Sequence, residues 1–453
     1  MGYHLGRALD RYFHITDQDS SLAQEIRAGF TTFMAMAYIL FINPQILGHA
    51  IPLAHNGFGQ LLIATALTSA LGSLLMGVLA RYPFALAPGM GLNAYFTYSV
   101  VINHQMPWQI ALGSVFLSGI AMLILTVSGV RRAIIDSLPE TIKTAISAGV
   151  GLFLTLIGAK NCGLVEGDPN TLLRMGTIPS AELALALSGL VLTVVLLHRR
   201  IHGAMVIGIV LMTLVAIILE LPVYDNHQAF AGISGGLWQA PAWPVDLIGA
   251  LDIKGALNWG ALAILFTFTM VDIFDTAGTL IGLSQLPSFK RQGAAPLRST
   301  QVFAADALAT SVGALLGTST VTTYVESATG MEEGGRTGLT AVVVGLLFLL
   351  SVFFWPLAQA VPVAASAPAL MIVGFLMMGN LAVIPWAQLL EAFPAFITIV
   401  MIPFSFSVAD GISAGVFAHI ALNLGVGRWR NISPFLYCVG SALLLRFFYL
   451  SLA

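Results

Sequence analysis

The chain alternates long apolar runs with short polar loops. Runs of helix length lie at 28–47, 59–80, 107–129, 140–159, 180–198 and 203–220. After a polar, aromatic connector, a second series lies at 257–283, 300–317, 337–358, 368–385, 390–408 and 411–427. Each run approaches the roughly 20 residues that a helix needs to cross a bilayer. This pattern predicts an all-α polytopic membrane protein.

Two stretches between these runs are only partly apolar. Residues 84–101 carry a proline and two glycines ahead of Asn93, whereas 318–338 combines hydroxyl and β-branched residues with Glu326 and a glycine-rich acidic turn. Non-helical backbone at membrane depth persists only where protein buries it or water lines it. We therefore predict discontinuous third and tenth segments that build a binding site.

Segment order predicts an inverted repeat. Counting the broken stretches, about 14 segments divide into halves of seven, 28–220 and 257–427. Because seven is odd, the second half enters the membrane from the opposite side, with one discontinuous segment at the same place in each half.

The basic residues predict the orientation. With the N-terminus inside, most of the 19 Lys and Arg residues lie at inner ends and loops, as the positive-inside rule requires. The expected layout is a cytoplasmic N-terminal segment (1–27), an extracytoplasmic connector (221–256) and a C-terminal segment (428–453), in a multi-pass protein of the cell (inner or plasma) membrane. The sequence leaves open whether the last apolar run, 434–451, spans the bilayer.

Composition supports this class. The 453 residues are 57% hydrophobic and 9% charged, against about 25% charged in ordinary soluble domains. The formal charge of −2 comes without a basic tract, so we expect no nucleic-acid partner. Cys162 and Cys438 lack metal-ligand spacing, which predicts neither a metal site nor a disulfide framework.

Motifs of soluble enzymes do not fit this chain. Gly89, Gly91 and Ala94 formally match G-x-G-x-x-A, but a dinucleotide site requires a βαβ unit rather than a membrane span. The sequence contains no P-loop, so we expect transport energy from a gradient or a partner. Without a nucleophile–base or metal constellation, we predict no enzyme and no cofactor.

Carboxylates inside apolar segments carry the candidate chemistry. Asp272, Asp275, Asp306 and Glu326 occupy such positions, where each costs roughly 2.5–3.5 kcal/mol at the bilayer centre unless partnered or hydrated. Asp272 and Asp275 are three residues apart and share a helix face. We predict functional roles for Glu326 and Asp272; Asp275 either binds solute or holds the neighbouring broken segment, and Asp306 is a gate or packing residue. For Glu326, the alternative is a helix cap or an interhelical bond.

These residues favour a flat, N–H-rich solute. Half-helix N-termini alone suit an anion, but two added carboxylates reverse that preference in favour of a small neutral molecule rich in N–H donors, or of a cation. Asn93 can donate and accept, and a heterocycle that pairs its edge with carboxylate and amide stacks its faces on aromatic rings. The rings available are Phe33, Tyr95, Phe96 and Tyr324. Asp272 or Glu326 would also carry a coupling proton.

Six stretches carry a resemblance: GFTTFMAMAYILFINPQIL (29–47), ALAPGMGLNAYF (85–96), VDIFDTAGTLIGL (271–283), GTSTVTTYVESATG (317–330), GGRTGLTAVVVGLLFLL (334–350) and PAFITIVMIPFSFSVADGI (394–412). With these stretches, the chain resembles the AzgA-like purine permeases of the nucleobase-ascorbate transporter superfamily. The resemblance implies two inverted repeats divided into core and gate domains, and uptake of adenine, guanine or hypoxanthine with protons. It also implies a purine site formed by Asn93, Asp272, Asp275 and Glu326.

The resulting prediction is secondary active purine import by proton symport with alternating access. Glu326 binds the N–H edge of the base, Asp272 binds or shuttles the proton, and Asn93 with backbone amides completes the edge. The alternative is an anion exchanger or channel on the same architecture. Small residues in 140–159 suit packing within the fold or between copies, so a homodimer stays open.

Overall fold

The computed structural model describes residues 2–53, 56–168, 171–176, 180–223, 236, 238–284 and 299–452. Among these residues, nine helices are long and apolar enough to cross a membrane, and three further apolar helices are shorter. Two interrupted segments complete a set of fourteen. The predicted all-α polytopic class and segment number are confirmed.

The helices follow the apolar runs. Segments 1 to 7 are Leu22–Met36 with Ile39–Gly48, Gly57–Leu75 with Met76–Ala80, the interrupted segment 3, Trp108–Val127, Glu140–Asn161, Ala181–His198 and Ala204–Ile218. Segments 8 to 14 are Trp259–Ser284, Ser299–Leu316, the interrupted segment 10, Gly338–Ser351 continued to Gln359, Val363–Met377 continued to Val383, Leu389–Ser405 and Val408–Gly425. Longer helices outside this set are Gly2–Phe13, Val130–Ser137 and Pro434–Leu452.

In the described part of the chain, four short strands interrupt the helices: β1 (Leu86–Pro88), β2 (Val165–Asp168), β3 (Leu172–Met175) and β4 (Val321–Thr323). Segment 3 is β1 followed by Met90–Ala94 and a π-helical stretch, Tyr95–Asn103; segment 10 is β4 followed by Ser327–Glu332. Strands β2 and β3 form a hairpin between segments 5 and 6, which the hydrophobic pattern did not predict.

Packing between segments shows the inverted repeat. Segment 2 packs on segment 11, and segment 9 packs on segment 4; each pair becomes the other when the two halves are exchanged. In the first pair, a Cβ added to Gly338 would lie 2.1 Å from the carbonyl oxygen of Gly77. In the second, a Cβ on Gly119 would lie 2.9 Å from the carbonyl oxygen of Ala307. Small residues at both crossings therefore allow close backbone approach.

The segments form two packed groups, each drawn from both halves. Segments 1–4 and 8–11 pack mainly on one another and form the core, while 5–7 and 12–14 form the gate. Within the gate, Cβ atoms on Gly149, Gly151 and Gly158 would meet segments 12 and 13 at 2.6 Å, 2.5 Å and 2.8 Å. The glycines of 140–159 thus pack inside the fold.

The described part of the connector lies on the core. The side-chain amide of Gln60 donates to Asp246 Oδ2 over 2.7 Å, and Trp355 Nε1 donates to the carbonyl oxygen of Ala240 over 3.0 Å. The backbone N–H of Asp252 donates to the carbonyl oxygen of Gln109 over 2.8 Å. These bonds join segments 2, 4 and 11 at one end of the core. Residues 224–235 and 237 of the connector lie outside the described residues.

The start of segment 1 differs from its predicted bound, and the last apolar run, for which the sequence left spanning open, is helical. Segment 1 begins at Leu22, ahead of the apolar run predicted from 28, because the Ser21 hydroxyl accepts from the backbone N–H of Gln24 and caps the helix. The C-terminal run forms the helix Pro434–Leu452, which packs on segments 8 and 14.

Candidate functional site

The two interrupted segments meet inside the core. Strand β1 pairs with β4 in antiparallel register, with Ala87 opposite Thr322. Backbone bonds from Gly89 to Thr320 and from Tyr324 to Ala85 extend this pairing. Backbone groups that no helix satisfies therefore bond across the pseudo-two-fold axis, which meets the membrane's demand for internal hydrogen bonding. Pro88, which lacks an N–H, lies at the end of its strand, where it costs least.

A cavity of about 960 Å³ lies beside this strand pair, between core and gate. The core contributes Tyr38, Met90, Asp275, Thr322, Thr323, Tyr324 and Glu326 to its wall. The gate contributes Ser147, Met205, Val373, Leu376 and Met377. One wall is therefore polar and the other mostly apolar, as a pocket for a planar solute with a polar edge requires.

Glu326 lies at the polar wall, where β4 turns into the short helix Ser327–Glu332. It occupies the N-cap position, yet its side chain makes no capping bond. Instead, the hydroxyl of Tyr38 in segment 1 donates to Glu326 Oε1 over 2.6 Å. The interhelical bond considered for Glu326 is thus present, and the carboxylate still lines the cavity.

Tyr324 fixes the strand pair from the cavity side. Its hydroxyl donates to the carbonyl oxygen of Pro88 over 2.6 Å, and its side chain lines the cavity. The ring therefore joins the two broken segments while remaining available to a solute.

The other carboxylates form a cluster that runs inward from the cavity wall. Asp275 lines the cavity, whereas Asp272, only 1% exposed, lies behind it within electrostatic reach of Asp275 and Asp306. Thr276 donates from its hydroxyl to Asp306 Oδ2 over 2.6 Å. Thr310 is a polar neighbour of Asp272, but neither Asp272 oxygen has a hydrogen bond of normal geometry to any described residue.

Asn93 lies in a buried amide–hydroxyl network away from the cavity wall. Its amide donates to Asn43 Oδ1 over 2.5 Å, and its own carbonyl oxygen accepts from the hydroxyl of Ser319. Asn43 in turn donates to the hydroxyls of Thr65 and Thr318, over 2.7 Å and 3.1 Å. This network joins segments 1, 2, 3 and 10, so Asn93 connects the broken segments to their neighbours.

Three of the four predicted stacking rings also lie elsewhere. Phe33 packs edge-on against Phe348 at 5.1 Å between ring centroids, and Tyr95 packs edge-on against Phe268 at 5.3 Å. Phe96 lies tilted against the same Phe268 ring at 6.5 Å. These three rings do not line the cavity, whereas Tyr324 does. The sequence analysis missed Tyr38, although a tyrosine at the interruption of an apolar segment was a usable signal.

A further buried carboxylate, Glu25, anchors the turn after segment 10. It is 0% exposed and accepts from the backbone N–H groups of Arg336 and Thr337, over 3.0 Å and 3.2 Å, and from the hydroxyl of Thr340 over 2.6 Å. These contacts place a negative charge at the N-terminus of segment 11, where the helix dipole stabilises it.

Charged residues and one histidine line one end of the cavity. Arg200, His202, Glu332 and Glu333 belong to its wall. Glu333 pairs with Arg27 at 3.1 Å and with His202 at 3.4 Å. The second pair bridges the turn after segment 10 and the loop between segments 6 and 7, and so joins core to gate at this end.

Comparisons with known proteins agree with this architecture. The Xan_ur_permease model, described as "Permease family", matches residues 23–413. The putative permease MJ0326 of Methanocaldococcus jannaschii is 44% identical and covers 98% of this chain and 99% of its own. The adenine permease AdeP of Escherichia coli is 40% identical, covering 97% and 95%. The guanine/hypoxanthine permease PbuG of Bacillus subtilis is 36% identical, covering 97% and 99%.

Solved structures share the fold at much lower sequence identity. The transmembrane domain of the cyanobacterial bicarbonate transporter BicA superposes with a TM-score of 0.64 at 15% identity, covering 87% of this chain and 97% of that domain. Murine Slc26a9, an anion transporter in an inward-facing state, gives 0.61 at 12% identity, covering 89% and 69%. With the family match and these relatives, the chain belongs to the Permease family, within the nucleobase-ascorbate transporters, and is a multi-pass membrane transporter rather than an enzyme.

Proposed function

We propose that this chain imports a purine base, namely adenine, guanine or hypoxanthine, by proton symport with alternating access. The observation that carries the proposal is a cavity between core and gate whose polar wall presents Glu326 and Asp275 beside the paired broken segments. Carboxylates accept hydrogen bonds and cannot donate them, so the wall suits a solute edge rich in N–H groups. Relatives named as adenine and guanine/hypoxanthine permeases support the purine class.

In this proposal, residues on the cavity wall bind the base, and more deeply buried residues support them. Glu326 accepts from the N–H edge of the base and Asp275 provides a second acceptor, while the Tyr324 ring offers a face for stacking. Asn93 shapes the site through the buried network, and Phe33 and Tyr95 support it through packing.

The proton is assigned to the cluster behind the cavity. Asp272, Asp275 and Asp306 lie close together in a low-dielectric interior, where the ionisation of all three would cost several kcal/mol per charge. A bound proton lowers that cost. Because Asp275 also borders the cavity, a base arriving there changes the electrostatic environment of Asp272, which couples the two ligands.

The contacts between core and gate support alternating access. At the end of the cavity opposite the charged residues, Gln45 of the core accepts from Ser366 of the gate over 2.5 Å and donates to the carbonyl oxygen of Val361 over 3.2 Å. Ser99 of the core donates to the carbonyl oxygen of Phe406 of the gate. Under the proposed cytoplasmic N-terminus, the cavity opens inward and this end is the closed outer side. Rocking of the core against the gate would exchange the two openings.

The test is uptake of labelled hypoxanthine, adenine and guanine into proteoliposomes that hold the purified chain. With an acidic exterior, we expect accumulation that a protonophore abolishes; one co-transported charge at 100 mV is worth about 2.3 kcal/mol, or about 50-fold accumulation. Saturable uptake that does not depend on the pH gradient would overturn proton symport. Exchange of bicarbonate or chloride without any purine uptake would favour the anion-transporter alternative.

A further inference from the structure

Tyr38 occupies an unusual place in segment 1. The segment is interrupted between Met36 and Ile39, and the Tyr38 side chain leaves the interruption fully buried, at 0% exposure, while bordering the cavity. Its hydroxyl crosses to segment 10 and donates to Glu326 Oε1 over 2.6 Å. A residue of the first half thus holds the main carboxylate of the second half.

The direction of the Glu326 side chain depends on that contact, because the local backbone does not hold it. The first N–H groups of the short helix after β4 are satisfied by backbone carbonyls: Ser327 donates to Tyr324, and Ala328 donates to Val325. The carboxylate is therefore not needed as a cap and makes no capping bond. Among the described residues, Tyr38 is its one side-chain hydrogen-bond partner, so Tyr38 sets its direction.

We propose that Tyr38 is a positioning residue that determines base selectivity by engaging Glu326 Oε1 and leaving Oε2 for the substrate. This inference rests on the proposed purine transport. A carboxylate with two free oxygens can accept two parallel N–H donors, as it does from arginine. Guanine offers such a pair, N1–H and the 2-amino group, whereas hypoxanthine offers N1–H without the amino group.

The consequence is weak discrimination between these bases. With Oε1 engaged, the guanine 2-amino group finds no second acceptor on Glu326. Asp275, the second acceptor of the wall, would accept from the imidazole N–H that both bases carry, so the 2-amino group contributes little to binding. Fixing the rotamer of Glu326 before the base arrives also spares the entropy of ordering a flexible side chain. Loss of the Tyr38 hydroxyl should therefore weaken the binding of both bases, but guanine should lose less because the freed Oε1 accepts its second donor.

The experiment compares Tyr38→Phe with the unmodified chain in purine uptake and in direct binding to purified protein. We expect the KM for hypoxanthine to rise about 10-fold, since a charge-assisted hydrogen bond is lost, with Vmax retained. The guanine-to-hypoxanthine ratio of Vmax/KM should rise about 3- to 10-fold. Tyr12→Phe is the matched control, because it removes a hydroxyl that donates to the Val78 carbonyl oxygen outside the cavity, over 3.1 Å.

The outcomes separate this inference from the proposed function. If the unmodified chain takes up no purine, the proposed function fails. If it does, and Tyr38→Phe leaves the ratio of the two bases unchanged, the positioning role fails even where total uptake falls.

Inhibition constants measured on the unmodified chain provide a second test, which does not depend on whether the Tyr38→Phe variant folds. In the unmodified chain, the inhibition constants of guanine and hypoxanthine should agree within about 3-fold. A preference for guanine above about 10-fold would mean that the 2-amino group is recognised although Tyr38 engages Glu326 Oε1, and would overturn the proposal.

Discussion

The two interrupted segments share one backbone arrangement but place their polar side chains in different environments. Each begins as a strand of three residues and continues as a short helix, and the two strands pair with each other. The polar residue that follows β1, Asn93, bonds to Asn43 and Ser319 away from the cavity wall. The one that follows β4, Glu326, lines the cavity.

Side-chain chemistry explains the difference. An amide carries both donors and acceptors, so Asn93 can join a network in which every neighbour is an amide or a hydroxyl. A carboxylate only accepts, and it needs a donor to offset its desolvation. Glu326 receives one donor from Tyr38 and leaves the rest of its capacity to a solute. Under the proposed function, the first broken segment therefore acts as a structural joint and the second as the recognition surface.

Replacing the recognition residue should have the largest effect. Glu326→Gln keeps the shape of the side chain but introduces an N–H₂ group that opposes the N–H edge of a base. We expect concentrative uptake to fall on the order of 100-fold or more, because charge-assisted hydrogen bonds are lost, while the protein still inserts into the membrane. Initial rates in proteoliposomes with equal protein content measure the effect.

Glu332→Gln is the matched control, since it alters a carboxylate at the charged end of the same cavity. Uptake there should stay close to that of the unmodified chain. Normal accumulation by Glu326→Gln would remove Glu326 from the site.

Breaking the structural joint should show up in stability rather than in affinity. Asn93→Ala removes the donor to Asn43 Oδ1 and the acceptor of the Ser319 hydroxyl, and leaving such buried groups unsatisfied costs about 1–3 kcal/mol. We expect a lower unfolding temperature in detergent and a KM within about 3-fold of the unmodified chain. Asn103→Ala, at an exposed position at the end of the same segment, should change neither. A large rise in KM at unchanged stability would mean that Asn93 contacts the base directly.

The sequence predicted which polar groups lie at membrane depth, because burying them is costly and therefore rare. Thus the breaks near Pro88 and Thr322, and the acids Asp272, Asp275 and Glu326, were all identifiable from their apolar surroundings. Segment order also predicted the inverted repeat, because each apolar run of helix length can be recognised in the sequence and counted.

What the sequence could not supply is which donor meets which acceptor. The Tyr38–Glu326 bond depends on the interruption of segment 1 and on the register of β1 with β4, both of which are tertiary features. Asn93 and Glu326 looked alike as polar residues in broken segments, and only the packing separates their environments. Glu25 lies in a polar stretch ahead of the first apolar run, so nothing local showed that its carboxylate is buried.

The smallest expected effect tests whether any carboxylate near the cavity would serve. Glu333 pairs with Arg27 and His202, and these partners have 65% and 52% of their side-chain surface exposed. Ion pairs exposed to this degree contribute about 0–1 kcal/mol because water and salt screen them. Glu333→Gln should therefore change purine uptake by less than about 3-fold, with an effect that shrinks as ionic strength rises. Glu166→Gln, which removes an exposed pair with Arg174 outside the cavity, is the control for charge alone. A loss above 10-fold, unaffected by salt, would place Glu333 in the transport cycle as a required contact between core and gate.

Glu326 would then share its importance with a carboxylate whose position the strand pairing does not determine. The contrast between the two broken segments would no longer explain which residues are required for transport.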